Sequence, residues 1–139
     1  MQPFPWRPRM RGVVPSGRAF TVLVVDPSGD LGVAFEPYTS PDAPRQDIPL
    51  LRWVSIADAA PDLDDAPTLA AFVEAIGEAY RMADQNPAWV TFAYYSSTRG
   101  QWRIEARKEG REHRGVAKCL GEAVSRKGAA LAAWRWVSA

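Results

Sequence analysis

The chain is poor in the residues from which most recognisable active sites are built. Of its 139 residues one is cysteine, Cys119, and one is histidine, His113. A lone cysteine excludes an internal disulfide and argues against a secreted disulfide scaffold, so a reducing, cytoplasmic setting is expected. A structural zinc site needs about four Cys or His ligands and is excluded by count. A Cys119–His113 nucleophile pair is conceivable on paper. However, Cys119 sits among small residues, where a thiol ordinarily serves as a small hydrophobe. No apolar run is long enough to span a bilayer, and the N-terminal Met-Gln-Pro-Phe-Pro-Trp has no signal-peptide core, so no membrane contact is expected. Gly-x-Ser-x-Gly, Gly-x-x-x-x-Gly-Lys-Ser/Thr and Gly-x-Gly-x-x-Gly are all missing. The reading is therefore non-enzymatic, with no cofactor and no metal. An enzyme built on dispersed carboxylates such as Glu36 or Glu105 is the alternative, because such groups need no local motif.

Hydrophobic residues make up 47% of the chain, and there are six tryptophans: Trp6, Trp53, Trp89, Trp102, Trp134 and Trp136. That composition supports a folded core in one domain-sized chain. The net charge of +1 hides an uneven distribution. Residues 1–18 carry four arginines and no acid, residues 19–98 carry three basic and twelve acidic side chains, and residues 99–139 carry ten basic and four acidic. Such asymmetry marks either a surface for an anionic partner or internal pairing between segments.

Residues 1–18 hold Pro3, Pro5, Pro8 and Pro15, which exclude a helix and predict an extended basic arm. Residues 19–139 are expected to form one α+β domain. Ala19–Val25 reads as a strand covered on both faces, and Asp26-Pro-Ser-Gly-Asp30 as a hairpin turn into a second strand ending near Glu36. Residues 37–49 form a loop, and Leu50–Ile56 a third strand. Asp58, Asp62, Asp64 and Asp65 precede the clearest helix, at 68–85. They fit the favourable dipole of a helix start better than a cation site, since the EF-hand spacing is missing. Trp89–Ser96 and the alternation of Trp102, Ile104 and Ala106 with Arg103, Glu105 and Arg107 read as a second hairpin, and Lys108–Gly115 as a charged loop. From Val116 a helix is expected, capped near Gly128, with a further helix to Trp136. The order is βββ-α-ββ-α: a largely antiparallel sheet of about five strands shared by both hairpins, packed with two or three helices.

Two constellations carry functional expectations. Arg99, Arg103, Arg107, Lys108, Arg111, His113 and Arg114 line a turn, a strand and a loop, and could hold an anionic partner. With Trp6, Arg7, Arg9 and Arg11 of the arm, they could hold nucleic-acid phosphates. The interleaving of basic residues with tryptophan, including Arg52-Trp53 and Trp134-Arg135-Trp136, predicts cation–π contacts. One of Trp134 and Trp136 should be exposed, and Trp and Arg are hot-spot residues of protein interfaces. A protein partner or a second copy is therefore favoured over nucleic acid.

Leu69-Ala-Ala-Phe-Val-Glu-Ala-Ile, Trp102-Arg-Ile-Glu, Leu120-Gly-Glu-Ala-Val-Ser-Arg and Ala129-Ala-Leu-Ala-Ala together give helix, two strands and an Ala-rich helix. In this the segment 69–133 resembles the phage alpha-beta-alpha sandwich domain. The resemblance implies a phage or prophage accessory protein and names no functional residues.

Overall fold

A computed structural model describes residues 2–36, 51–110 and 115–139. The class is α+β with antiparallel sheets, as expected. The described strands are β1 (Arg11–Val13), β2 (Ala19–Val25), β3 (Asp30–Phe35), β4 (Leu51–Ser55), β5 (Ala60–Pro61), β6 (Trp89–Ser96), β7 (Gln101–Lys108) and β8 (Ala117–Ala123). The helices are α1 (Ala66–Asp84) and α2 (Arg126–Val137), with a 3-10 turn at Ile56–Asp58. The two hairpins do not share a sheet. One sheet has the order β4-β3-β2-β1-β5 and the other β6-β7-β8. The chain divides into two compact units, Trp6–Thr68 and residues 2–5 with Leu69–Ala139.

In the Trp6–Thr68 unit, Asp26 N–H donates to Asp30 O at 2.9 Å and Gly29 takes φ 103°, so the turn closes the β2–β3 hairpin where the sequence places it. The expected arm is a correction. Trp6 and Met10 are buried, and β1 lies between β2 and β5. Arg9 N–H donates to Val22 O and Val22 N–H to Met10 O, both at 2.8 Å. Proline excludes helix but not pairing from neighbouring residues, and Trp6 closes on Phe20 with rings 5.9 Å apart. Arg11 fixes the new strand. Its guanidinium holds Glu36 (Nε to Oε1, 2.8 Å) and Asp62, and these partners, Glu36 first, raise its pKa further.

Asp65 acts locally, and Asp62 over a long sequence distance. Asp65 accepts from the Thr68 N–H at 3.2 Å and the Thr68 hydroxyl at 2.7 Å, which caps α1, while Asp62 serves Arg11. The Thr68 hydroxyl in turn accepts from Arg11 N–H at 2.7 Å.

In the other unit α1 buries Phe72, Ile76 and Tyr80, as its periodicity requires. Phe72 meets Phe4 at 4.7 Å and Trp134 at 6.1 Å. Arg81 donates to Trp89 O, and the Trp89 indole to Asp84 at 2.6 Å. The helix expected from Val116 is also corrected. Ala117–Ala123 is a strand in register with β7. Gly128 is not a C-cap; it lies in the first turn of α2, where its N–H donates to the Ser125 hydroxyl at 3.1 Å. Val116, Leu120 and Val124 mimic a helical stripe, but the unpaired edge of β7 takes the segment as its third strand. Small residues at Ala129, Ala130 and Ala133 then let α2 close on Gly121.

Candidate functional site

Thr91 lies beneath Gly77 of α1, and Gly121 beneath Ala129 and Ala133 of α2. Both helices therefore cover the same face of the three-stranded sheet. Strand alternation and register place Val90, Phe92 and Tyr94 of β6 with Arg107, Glu105 and Arg103 of β7 on the opposite face. Glu122 and Cys119 of β8 join them across the sheet.

On this face the carboxylates lie low and the guanidinium groups reach outward. Arg107 Nε meets Glu105 Oε1 at 2.8 Å, with side-chain exposures of 57% and 9%. Arg99 Nε meets Glu122 Oε1 at 2.7 Å, with exposures of 58% and 20%. Burial by itself raises the Glu105 pKa, but the Arg107 and Tyr94 hydrogen bonds and the neighbouring guanidinium groups hold it below the ordinary value. The same contact with Glu105 raises the Tyr94 hydroxyl. Arg103 is half-buried, and its contact with the Cys119 sulfur raises its pKa; its Nε is buried without an acceptor among the described residues. The Arg107 guanidinium lies over the Phe92 ring at 4.7 Å, and Phe92 and Tyr94 have ring centroids 6.0 Å apart.

The structure brings Arg99, Arg103 and Arg107 together and separates them from the other expected site residues. Lys108 belongs to the helix-covered face, over the Trp89 ring at 5.1 Å. Arg111, His113 and Arg114 lie outside the described residues. Trp134 is a correction, since it is buried against Phe72 in the core. Trp136 is the exposed one, with Lys118 over its ring at 4.6 Å and Tyr80 at 6.0 Å. Trp6 is core and Arg11 is tied to two acids, so neither belongs to a free arm; Arg7 is half-buried and Arg9 exposed. The cation–π contacts expected from Arg–Trp neighbours exist, but they are long-range, as in Arg126 over Trp102 at 4.2 Å. Glu36 and Glu105, the carboxylates of the enzyme alternative, each hold an arginine.

A second surface lies in the Trp6–Thr68 unit. Val24, Gly32 and Trp53 stand in register across three strands. A Cβ at Gly32 would lie 3.0 Å from Leu51 Cδ1 and 3.4 Å from the Trp53 ring, so these side chains converge over the bare glycine. Trp53 is 57% exposed, and Leu23, Val24 and Leu51 are exposed as well. The sequence reading that covers both faces of β2 is thus corrected. A bulge interrupts the register between Val22 and Val24, and Leu23 and Val24 face solvent.

Among the described residues no helix is long and apolar enough to cross a membrane. Compared with known proteins, the chain matches no family model, no curated protein sequence and no solved structure.

Proposed function

We propose that this chain is a small non-enzymatic interaction module of phage or prophage type that binds a protein partner or a second copy of itself. The observation that carries the reading is the apolar patch of Val24, Leu51 and Trp53 around Gly32. Leaving three large apolar side chains half in water forgoes about 25 cal/mol for each Å² that a partner surface could cover. Contiguous exposed apolar surface of this kind marks contact sites on soluble proteins. Trp53 stands beside Arg52 in β4, the outermost strand of its sheet among the described residues, and tryptophan and arginine lead the residue types that dominate interface energies. The phage assignment draws its support from the sequence resemblance over 69–133 alone, since that segment folds with three strands between its helices rather than two.

The test is size-exclusion chromatography with light scattering on the wild type and on Trp53→Ser, each alone and after mixing with host lysate. The wild type should form a dimer or a retained complex that Trp53→Ser loses at unchanged far-UV circular dichroism. A wild type that stays monomeric and retains nothing contradicts the proposal.

A further inference from the structure

We propose that the open face of the three-stranded sheet is a platform for single-stranded nucleic acid, a site separate from the apolar patch around Gly32. The first argument is the direction of charge. In both ion pairs of this face the carboxylate is the less exposed partner, at 9% and 20%, and the guanidinium the outer one, at 57% and 58%. Solvent therefore meets arginine, although the formal charges nearly balance. The carboxylates orient Arg99 and Arg107 from below and leave their outer N–H groups for a second acceptor, which suits phosphate oxygens.

The second argument is the aromatic pair. Phe92 and Tyr94 sit two residues apart on the same face, 6.0 Å between rings, and Arg103 and Glu105 stand directly across from them on β7. Every nucleobase has a π face, so aromatic rings on an open sheet hold unpaired bases with little regard to sequence. The Arg107 guanidinium over Phe92 offers a further planar stacking surface above that ring. In a duplex the bases are already stacked on one another and present only their edges, so the aromatic half of this surface selects single strands. An acidic protein would use the arginines but leave the ring pair without a matching partner.

The experiment is fluorescence anisotropy with a 20-nucleotide oligo-dT, a 20-nucleotide oligo-U, a 20-base-pair duplex and heparin. Single strands should bind at least ten-fold tighter than duplex or heparin. With three phosphates held, affinity should fall about twenty-fold between 50 and 200 mM salt, at roughly 0.7 counterions released per phosphate. Tyr94→Leu and Arg107→Gln should each weaken binding at least five-fold, whereas Arg135→Gln, at an exposed position of α2, should leave it unchanged. Where a variant fails to fold, amide shifts of the wild type on titration with oligo-dT decide the matter. They should concentrate at 90–94, 99–107 and 117–122. Absence of wild-type binding at 50 mM salt, equal binding of duplex or heparin, or a footprint on the helices overturns the proposal.

Discussion

Gly121 of β8 lies directly under Ala133 of α2: a Cβ at Gly121 would sit 2.5 Å from the Ala133 amide nitrogen and closer still to the Ala129 carbonyl oxygen. Helix and sheet backbones meet there, and backbone cannot rotate away as a side chain can. Gly121→Val should therefore destabilise the fold by about 3 kcal/mol, the upper end for overpacked sites. Denaturant unfolding checks this, and a loss below about 1 kcal/mol contradicts the packing.

The two C-terminal tryptophans should separate by consequence. Trp134→Ala removes a buried ring packed on Phe72 and should cost about 3–5 kcal/mol. Trp136 is half in water, and Trp136→Ala should cost about 1 kcal/mol, chiefly from its contacts with Lys118 and Tyr80. Urea midpoints of the two variants measure the difference.

The N-terminal segment offers a sharper contrast. Deleting a mobile arm leaves the melting temperature unchanged, whereas deleting residues 2–10 here removes Trp6 and Met10 from the core and strips β1 of its lead-in. The truncated chain should lose cooperative unfolding, or melt at least 10 °C lower. Trp6→Ala, at about 3 kcal/mol, checks the same contact with less disturbance.

Glu105 should give stability a pH dependence of definite sign. Its folded pKa is held below the ordinary carboxylate value, so its contribution is fully present above about pH 4.5 and is lost as pH falls through the lowered folded value. Glu105→Gln should be less stable than the wild type at pH 7, by about 1 kcal/mol because the Arg107 end of the pair is in water. The gap should narrow as the pH is lowered toward 3. A gap that stays constant, read from urea midpoints, contradicts the assignment.

Much of this fold was legible in the chain. The β2–β3 turn announces itself through Asp26-Pro-Ser-Gly-Asp30, α1 through its stripe from Leu69 to Tyr80, and the β6–β7 hairpin through Trp102, Ile104 and Ala106 alternating with arginine and glutamate. The failures share a physical cause. β1 and β8 owe their state to partners distant in sequence: Arg11 to Glu36 and Asp62, and Ala117–Ala123 to the free edge of β7. Local propensity does not contain those partners. The candidate surfaces were half legible. Alternation puts Arg103 and Arg107 on one face, but no spacing rule shows that their carboxylates lie underneath. The patch around Gly32 was hidden because Val22–Val25 reads as buried on both sides, and only the bulge at Leu23 turns part of the run to solvent.

The claim that the Trp53 patch is a contact surface is tested most directly by site-specific photocrosslinking. A benzophenone amino acid is placed at position 53 and, as a control, at exposed position 82, in cells that express the chain. Irradiation should give one dominant adduct from position 53, either a second copy of the chain or one partner protein, and none of comparable yield from position 82. No adduct at position 53, or the same spread of adducts from both positions, would contradict the claim.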